Sequence, residues 1–180
     1  MTIMRNFFLT TSRLGFSHWQ STDMELAQTL WGDINVVRYI HQGPFSDEEV
    51  TERLNTEMAQ QAKVGAQYWP IFWKAEGTFI GACGLRPADE PNIFEFGIHL
   101  RPSVWHQGVG MEAGQAAITY GFNELNAKKI VTGHNPNNIG SQKLLAKLGF
   151  EYYGKEFYAP TGLEHPMYRM TPAMWAARKY

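Results

Sequence analysis

The chain carries a single cysteine, Cys83, among its 180 residues. An internal disulfide is therefore excluded, and a lone thiol in an apolar stretch reads as a small buried residue of a strand rather than a nucleophile. Long apolar runs are missing too. Nowhere do about 18 such residues follow one another, and the opening Met1-Thr2-Ile3-Met4-Arg5-Asn6 leads into none. The expectation is a cytoplasmic protein with no membrane partner. There is no excess of charge: 16 basic against 17 acidic side chains leave a net charge of −1, so no field draws the chain to nucleic acid. The histidines, His18, His41, His99, His106, His134 and His165, are scattered without the i, i+4 spacing of a helical metal site, and no metal is expected. Repeats, low-complexity tracts and linkers are likewise lacking. With 44% hydrophobic residues, the pattern reads as one domain over residues 1–180.

What is present divides into strands and helices. Alternation at Phe7, Leu9, Leu14 and Phe16 predicts a first strand. Thr22-x-x-Glu25 and Ser46-x-x-Glu49 are both capping-box patterns. The first predicts a short helix ended by Gly32; the second predicts a longer one with the stripe Val50, Leu54 and Met58, running to about Gly65. Residues 33–40 fit no single pattern. Aromatic and β-branched runs at 68–75 and 78–85, joined at Glu76-Gly77, predict a hairpin. Further strands are expected at 93–100, at 129–134 and on both sides of Pro160-Thr161-Gly162; a helix is expected at 139–148, stopped by Gly149; Pro172 opens a short tail.

The most informative stretch is 92–125. An apolar strand leads through a polar loop into Gly108-Val109-Gly110-Met111-Glu112-Ala113, which opens a long amphipathic segment. Two glycines at such a junction expose a row of backbone N–H groups, here those of His106, Gln107, Gly108, Val109, Gly110 and Met111, at the positive end of a helix. That is an anion cradle. Gly108-x-Gly110-x-x-Ala113 also satisfies a dinucleotide fingerprint, so an NAD-type oxidoreductase is an alternative. It fits poorly: Pro102 precludes a tight turn straight off the strand, and no acidic residue stands about 20 positions on. A phosphate-loop NTPase is excluded because no Lys-Ser or Lys-Thr follows the glycines.

Two motifs together point to a family. Trp105-His106-Gln107-Gly108-Val109-Gly110-Met111-Glu112-Ala113 follows a strand carrying Glu95-Phe96-Gly97; later come Asn138-Ile139-Gly140-Ser141 and Leu148-Gly149-Phe150. In order and spacing they resemble the GNAT superfamily of acetyl-CoA-dependent N-acetyltransferases, in particular the ribosomal-protein N-terminal acetyltransferase branch. Thr11-Ser12-Arg13-Leu14 and residues 43–49 extend the likeness loosely towards the start. The resemblance implies a single α/β domain: a central mixed, mostly antiparallel sheet of about seven strands flanked by helices.

It also implies roles. The loop N–H groups of residues 106–111 would hold the pyrophosphate of acetyl-CoA, and the strand edge at Ile98, His99 and Leu100, parted from the strand at 129–134, would bond the pantetheine arm. Such a donor beside the thioester also serves a developing oxyanion, commonly worth about 3–4 kcal/mol. Direct attack needs a neutral amine. A lysine-like amine is roughly one part in a thousand neutral at physiological pH and an α-amine about a fifth, so a base matters more for the first. Glu95, which alternation puts with Gly97 and His99 on one face, is the candidate base, acting through water, with His99 in reserve. Many members supply the leaving thiolate with a proton from a tyrosine where this chain has Leu145. Ser141 is the substitute the branch suggests, as a hydrogen-bond donor, with Asn138 on the pantetheine arm. Trp105 stands where many members carry Gln or Arg, which fits the branch but not the general pattern. A peptide N-terminal α-amine and a small-molecule amine are both open as acceptor, and so is a homodimer. Residues 22–45 and 158–164 would shape the acceptor side. Trp31, Tyr39, Tyr68, Trp69 and Trp73 are candidates for a pocket there and equally for an aromatic core. A catalytically silent coenzyme A-binding module is the other alternative.

Overall fold

The computed structural model describes residues 4–179; Met1, Thr2 and Ile3 of the N-terminal stretch read above lie outside it. Short strands β1 (Leu9–Thr10) and β2 (Leu14–Phe16) come first, then α1 (Met24–Trp31), α2 (Ile34–Val37) and α3 (Asp47–Val64). The strands β3 (Tyr68–Trp73), β4 (Phe79–Pro87) and β5 (Ile93–Leu100) follow. A 3₁₀ turn at Pro102–Val104 leads to α4 (Val109–Asn123), β6 (Lys129–Gly133), α5 (Ile139–Leu148), β7 (Glu151–Tyr158), β8 (Leu163–Met170) and α6 (Pro172–Ala176). Among the described residues the eight strands form one sheet in the order β1-β2-β3-β4-β5-β6-β8-β7. The count exceeds the expected seven because the first strand turns back on itself as the β1–β2 hairpin. Every pairing is antiparallel except β5 with β6.

Period-2 alternation splits the sheet into two faces. Phe94, Phe96, Cys83, Leu85, Trp69 and Ile71 point to one, where Val109, Ala113, Ala117 and Ile118 of α4 and Leu145 and Leu148 of α5 cover them. Tyr68, Phe72 and Ala82 point to the other, beneath Ala27, Leu30 and Trp31 of α1, Val37 of α2 and Val50 and Leu54 of α3. Cys83 is buried in β4 as expected; burial pushes its thiol pKa up, which makes it inert.

Of the two capping boxes, Ser46–Glu49 forms in full: Glu49 N–H donates to Ser46 Oγ at 3.2 Å and Ser46 N–H to Glu49 Oε2 at 2.8 Å. Thr22–Glu25 does not. Asp23 is the cap residue instead, and its carboxylate is engaged elsewhere, accepting from Arg5 at 2.6 and 2.7 Å and from Gln20 N–H at 2.8 Å. The ambiguous segment after Gly32 holds the one-turn α2, capped by Asp33. The expected tail becomes α6, capped by Thr171 with Pro172 in its first turn.

Candidate active site

β5 and β6 pair only from Ile93 to Glu95 against Lys129 to Val131, and beyond that they part. The last link is a side chain: Thr132 Oγ1 donates to Phe96 C=O at 2.9 Å. Arg101 N–H donates to Ile80 C=O on β4, so alternation turns the main chain of Gly97 and His99 to β4 and that of Phe96, Ile98 and Leu100 to the gap. The Leu100 carbonyl there accepts from Trp105 Nε1 at 3.0 Å, which orients its peptide. The N–H and C=O of Ile98 and the N–H of Leu100 are left facing the gap without partners among the described residues. His99 thus enters the site by its side chain and not, as the resemblance implied, by its strand edge.

At the far end of the gap, Gly108 takes φ 75° to start α4, a left-handed conformation where any side chain is strained. His106 takes φ 59° two residues earlier. Between them these turns free the N–H groups of residues 106–111, which meet no acceptor among the described residues. The loop is braced from outside. Arg13 donates through Nη1 to Gln107 C=O at 3.0 Å and through Nε to Glu112 at 2.7 Å, and Glu112 also accepts from Thr11 Oγ1 at 2.6 Å and Arg13 N–H at 2.9 Å. Val109, by contrast, is buried in the core beneath the loop and adds only its main chain.

The other side of the cleft is built on the α1–α3 face. Gly97 lies under the ring of Tyr68; a Cβ there would sit 2.3 Å from Tyr68 Cζ, so only glycine lets the ring cross. The Tyr68 hydroxyl thereby reaches Glu95 Oε1 at 2.9 Å, as donor. Burial, then the Glu95 charge, push the Tyr68 pKa well up, which keeps the phenol protonated. Arg86, opposite Glu95 across β4 and β5, stacks on Tyr68 with its guanidinium carbon 4.0 Å from the ring centre, and binds Glu57 through Nε and Nη2. Glu57 is fully buried on α3 and also takes the Tyr68 N–H at 2.8 Å. Trp31 Nε1 donates to His99 Nδ1 at 3.2 Å, so the imidazole proton is on Nε2. Burial, then Arg53 and Arg86, hold the His99 pKa well below its ordinary value. A neutral ring with that low basicity is a weak reserve base.

A family model for the acetyltransferase (GNAT) domain matches residues 13–151. The chain belongs to the GNAT acetyltransferases. Among its relatives is p20 of Bacillus licheniformis, named an uncharacterised N-acetyltransferase, which is 31% identical over 148 residues covering 81% of this chain and 83% of that protein. A GNAT-family acetyltransferase of Bacillus anthracis superposes with a TM-score of 0.77 at 23% identity, covering 92% of this chain and 98% of that one. The spermidine N-acetyltransferase of Vibrio cholerae, solved with CoA and spermine, superposes with a TM-score of 0.77 at 20% identity, covering 92% and 99%. This chain is therefore an acetyltransferase of the GNAT family, and the NAD-type alternative is set aside. Its glycine loop is also separated from β5 by the 3₁₀ turn, as a dinucleotide fold would not allow.

The remaining sequence candidates fall as follows. Glu95, Ile98, His99, Asn138 and Ser141 all line the cleft. Asn138 caps α5 with Oδ1, which accepts from Ser141 N–H at 3.1 Å; its Nδ2 is the part left for a ligand. The Ser141 hydroxyl has no partner among the described residues. Leu145, in place of the common tyrosine, is buried in the core at the cleft floor. Of the five aromatics, Tyr39 and Tyr68 line the cleft and Trp31 buttresses His99, whereas Trp69 and Trp73 belong to the opposite core. Sequence reasoning missed Arg53, Glu57, Arg86 and Thr132. One signal was there: Glu57 falls on the Val50, Leu54 and Met58 stripe, and a carboxylate on an apolar stripe needs a buried cation. No helix of the described residues is long and apolar enough to cross a membrane.

Proposed function

We propose that this enzyme transfers the acetyl group of acetyl-CoA to a primary amine by direct attack, with the donor in the gap between β5 and β6 and the acceptor over Tyr68 and Glu95. The observation that carries the reading is the set of unpartnered main-chain groups on one path: N–H groups at 106–111, then Leu100 and Ile98. These fit a diphosphate followed by an arm of amides, and nothing in the fold uses them otherwise. The Ile98 N–H, the last donor on that path and the one nearest Glu95, would face the thioester carbonyl as it gathers charge.

Glu95 takes the proton of the incoming ammonium, through water, with Tyr68 and Arg86 fixing its orientation. Ser141 donates a hydrogen bond to the departing thiolate; its free hydroxyl supports this, as does the absence of a phenol at Leu145. Asn138 Nδ2 reaches the pantetheine arm. The acceptor is an amine of a small molecule or a peptide N-terminus, which enters between α2 and the β7–β8 turn.

The test is thiol release from acetyl-CoA with a panel of amines, alongside calorimetric titration with CoA. Turnover with CoA binding supports the reading. CoA binding without turnover on any amine refutes the acceptor half. A Ser141→Ala enzyme at full rate ends the thiolate assignment.

A further inference from the structure

Arg53 is the group in this cleft whose surroundings ask for something more. It comes from α3, lines the cleft, and its side chain is 17% exposed. Its guanidinium carbon lies 4.9 Å from the Trp31 ring centre, 5.8 Å from that of Phe45 and 5.9 Å from that of Tyr68. Its Nε is buried with no hydrogen-bond partner, and Glu57 Oε1 stands 3.9 Å from it, out of hydrogen-bond range. Glu57 already accepts two bonds from Arg86 at Oε1 and the Tyr68 N–H at Oε2, and makes no hydrogen bond to Arg53. Burial, then the neighbouring Arg86, lower the Arg53 pKa to about 10, which still leaves it cationic at neutral pH. A boxed guanidinium whose ionic neighbour Glu57 stays beyond hydrogen-bond reach is costly, and a planar carboxylate is the group its fork fits.

We propose that Arg53 binds a carboxylate of the acceptor, so that the acceptor class is an amine that also carries a carboxylate. This rests on the acetyl-transfer reading and adds the substrate class to it. Tyr68 sets the spacing: Arg53 lies off its ring, and Glu95 is bonded to its hydroxyl. One acceptor therefore spans a cationic end that takes its carboxylate and an anionic end that takes its ammonium. Glu156, on the β7 wall of the cleft, adds to the anionic side, and with Arg86 bonded to Glu57 the cation left to receive an anion is Arg53. The carboxylate belongs either to a free amino acid or to an acidic side chain next to a peptide N-terminus.

The experiment uses matched pairs: L-alanine against ethylamine, and the C-terminally amidated peptides Ser-Glu-Ala against Ser-Gln-Ala. Each is tested with the unchanged enzyme, Arg53→Gln and Arg53→Lys. The expected result is a preference of about tenfold or more in kcat/KM for the carboxylated member of one pair, carried mainly by KM. That preference falls to near unity in Arg53→Gln and is partly restored in Arg53→Lys. The pair that shows it identifies the source of the carboxylate. Differences in amine basicity cancel because each ratio is compared between enzymes. Equal rates within both pairs, or a preference that persists in Arg53→Gln, overturn the proposal. If Arg53→Gln does not fold, the preference of the unchanged enzyme and its drop in Arg53→Lys decide. Calorimetric titration of the carboxylated amines into the CoA-saturated protein reads binding apart from turnover. Heat from the carboxylated member alone supports the proposal even if no acetylation occurs, and no heat from either carboxylated amine while CoA binds overturns it. Failure to bind CoA refutes the acetyl-transfer reading instead, and the same titration into the free protein then decides the carboxylate.

Discussion

At the scale of single residues, the decisive arrangement is a tyrosine lying across a glycine to reach a glutamate. Neither end works without the other, because the Tyr68 hydroxyl meets Glu95 only while position 97 lacks a side chain. Tyr68→Phe keeps the ring but removes the donor, and is expected to lower kcat about tenfold with little change in KM for the amine. Gly97→Ala forces the ring aside and should cost more than Tyr68→Phe. Steady-state kinetics of the two variants check both, and a Gly97→Ala enzyme as active as the parent would dismiss the positioning role. Glu95→Gln is expected to slow turnover most at low pH. There nearly all of the amine is protonated, whereas at high pH the amine is already neutral and needs no base. A pH–rate profile displaced by the same factor throughout would remove Glu95 as the base.

At the scale of elements, the anion loop depends on a tie between the β1–β2 hairpin and the first turn of α4. Burial would raise the Glu112 pKa, but the bonds from Thr11 and Arg13 outweigh it, and the net shift is downward from about 4.5. A carboxylate with a folded pKa below its unfolded one stabilises the protein above the unfolded value, and that stability is lost as pH falls through the folded one. Glu112→Gln should therefore be less stable than the parent at pH 7, with the gap closing below the ordinary glutamate range. Urea melts at pH 7 and pH 3 measure it; an equal gap at both would mean that the charge is irrelevant. Because Arg13 also holds the Gln107 carbonyl, the same variant should bind CoA more weakly. Much of this scale was legible beforehand. Ser46 and Glu49 announced α3, Gly149 ended α5 with φ 90°, and β5 alternation put Glu95, Gly97 and His99 on one face. The Thr22 box was not legible as a failure, because its competitor is Arg5, which reaches Asp23 from 18 residues away. The Arg53, Glu57, Arg86 and Tyr68 cluster gathers from α3, β3 and β4, and local spacing carries no record of such meetings.

At the scale of the whole molecule, a sheet that separates into two halves at Glu95 has an interior seam. One half, β1 to β5, carries α1 to α3; the other, β6 to β8, is joined to it by three residue pairs on β6, by Thr132, by the bonds of Lys128 N–H to Asn92 C=O and Asn135 Nδ2 to Tyr39 C=O, and by the packing of α4 and α5. A ligand lying in the seam bridges the halves and binds only the folded chain, so it should raise stability by mass action, about 2.7 kcal/mol at a hundred times its Kd. For a chain of this size that corresponds to a rise in Tm of about 5–10 °C. The rise should have a local signature in hydrogen exchange. The N–H groups of residues 106–111, Ile98 and Leu100 should slow sharply with CoA, since each gains a partner it lacks. Those of Gly97 and His99, already turned to β4, should change only with global stability. A thermal shift without this pattern would put CoA somewhere other than the seam. Protection spread evenly over β5 would mean that the two strands close on each other instead of receiving a ligand between them.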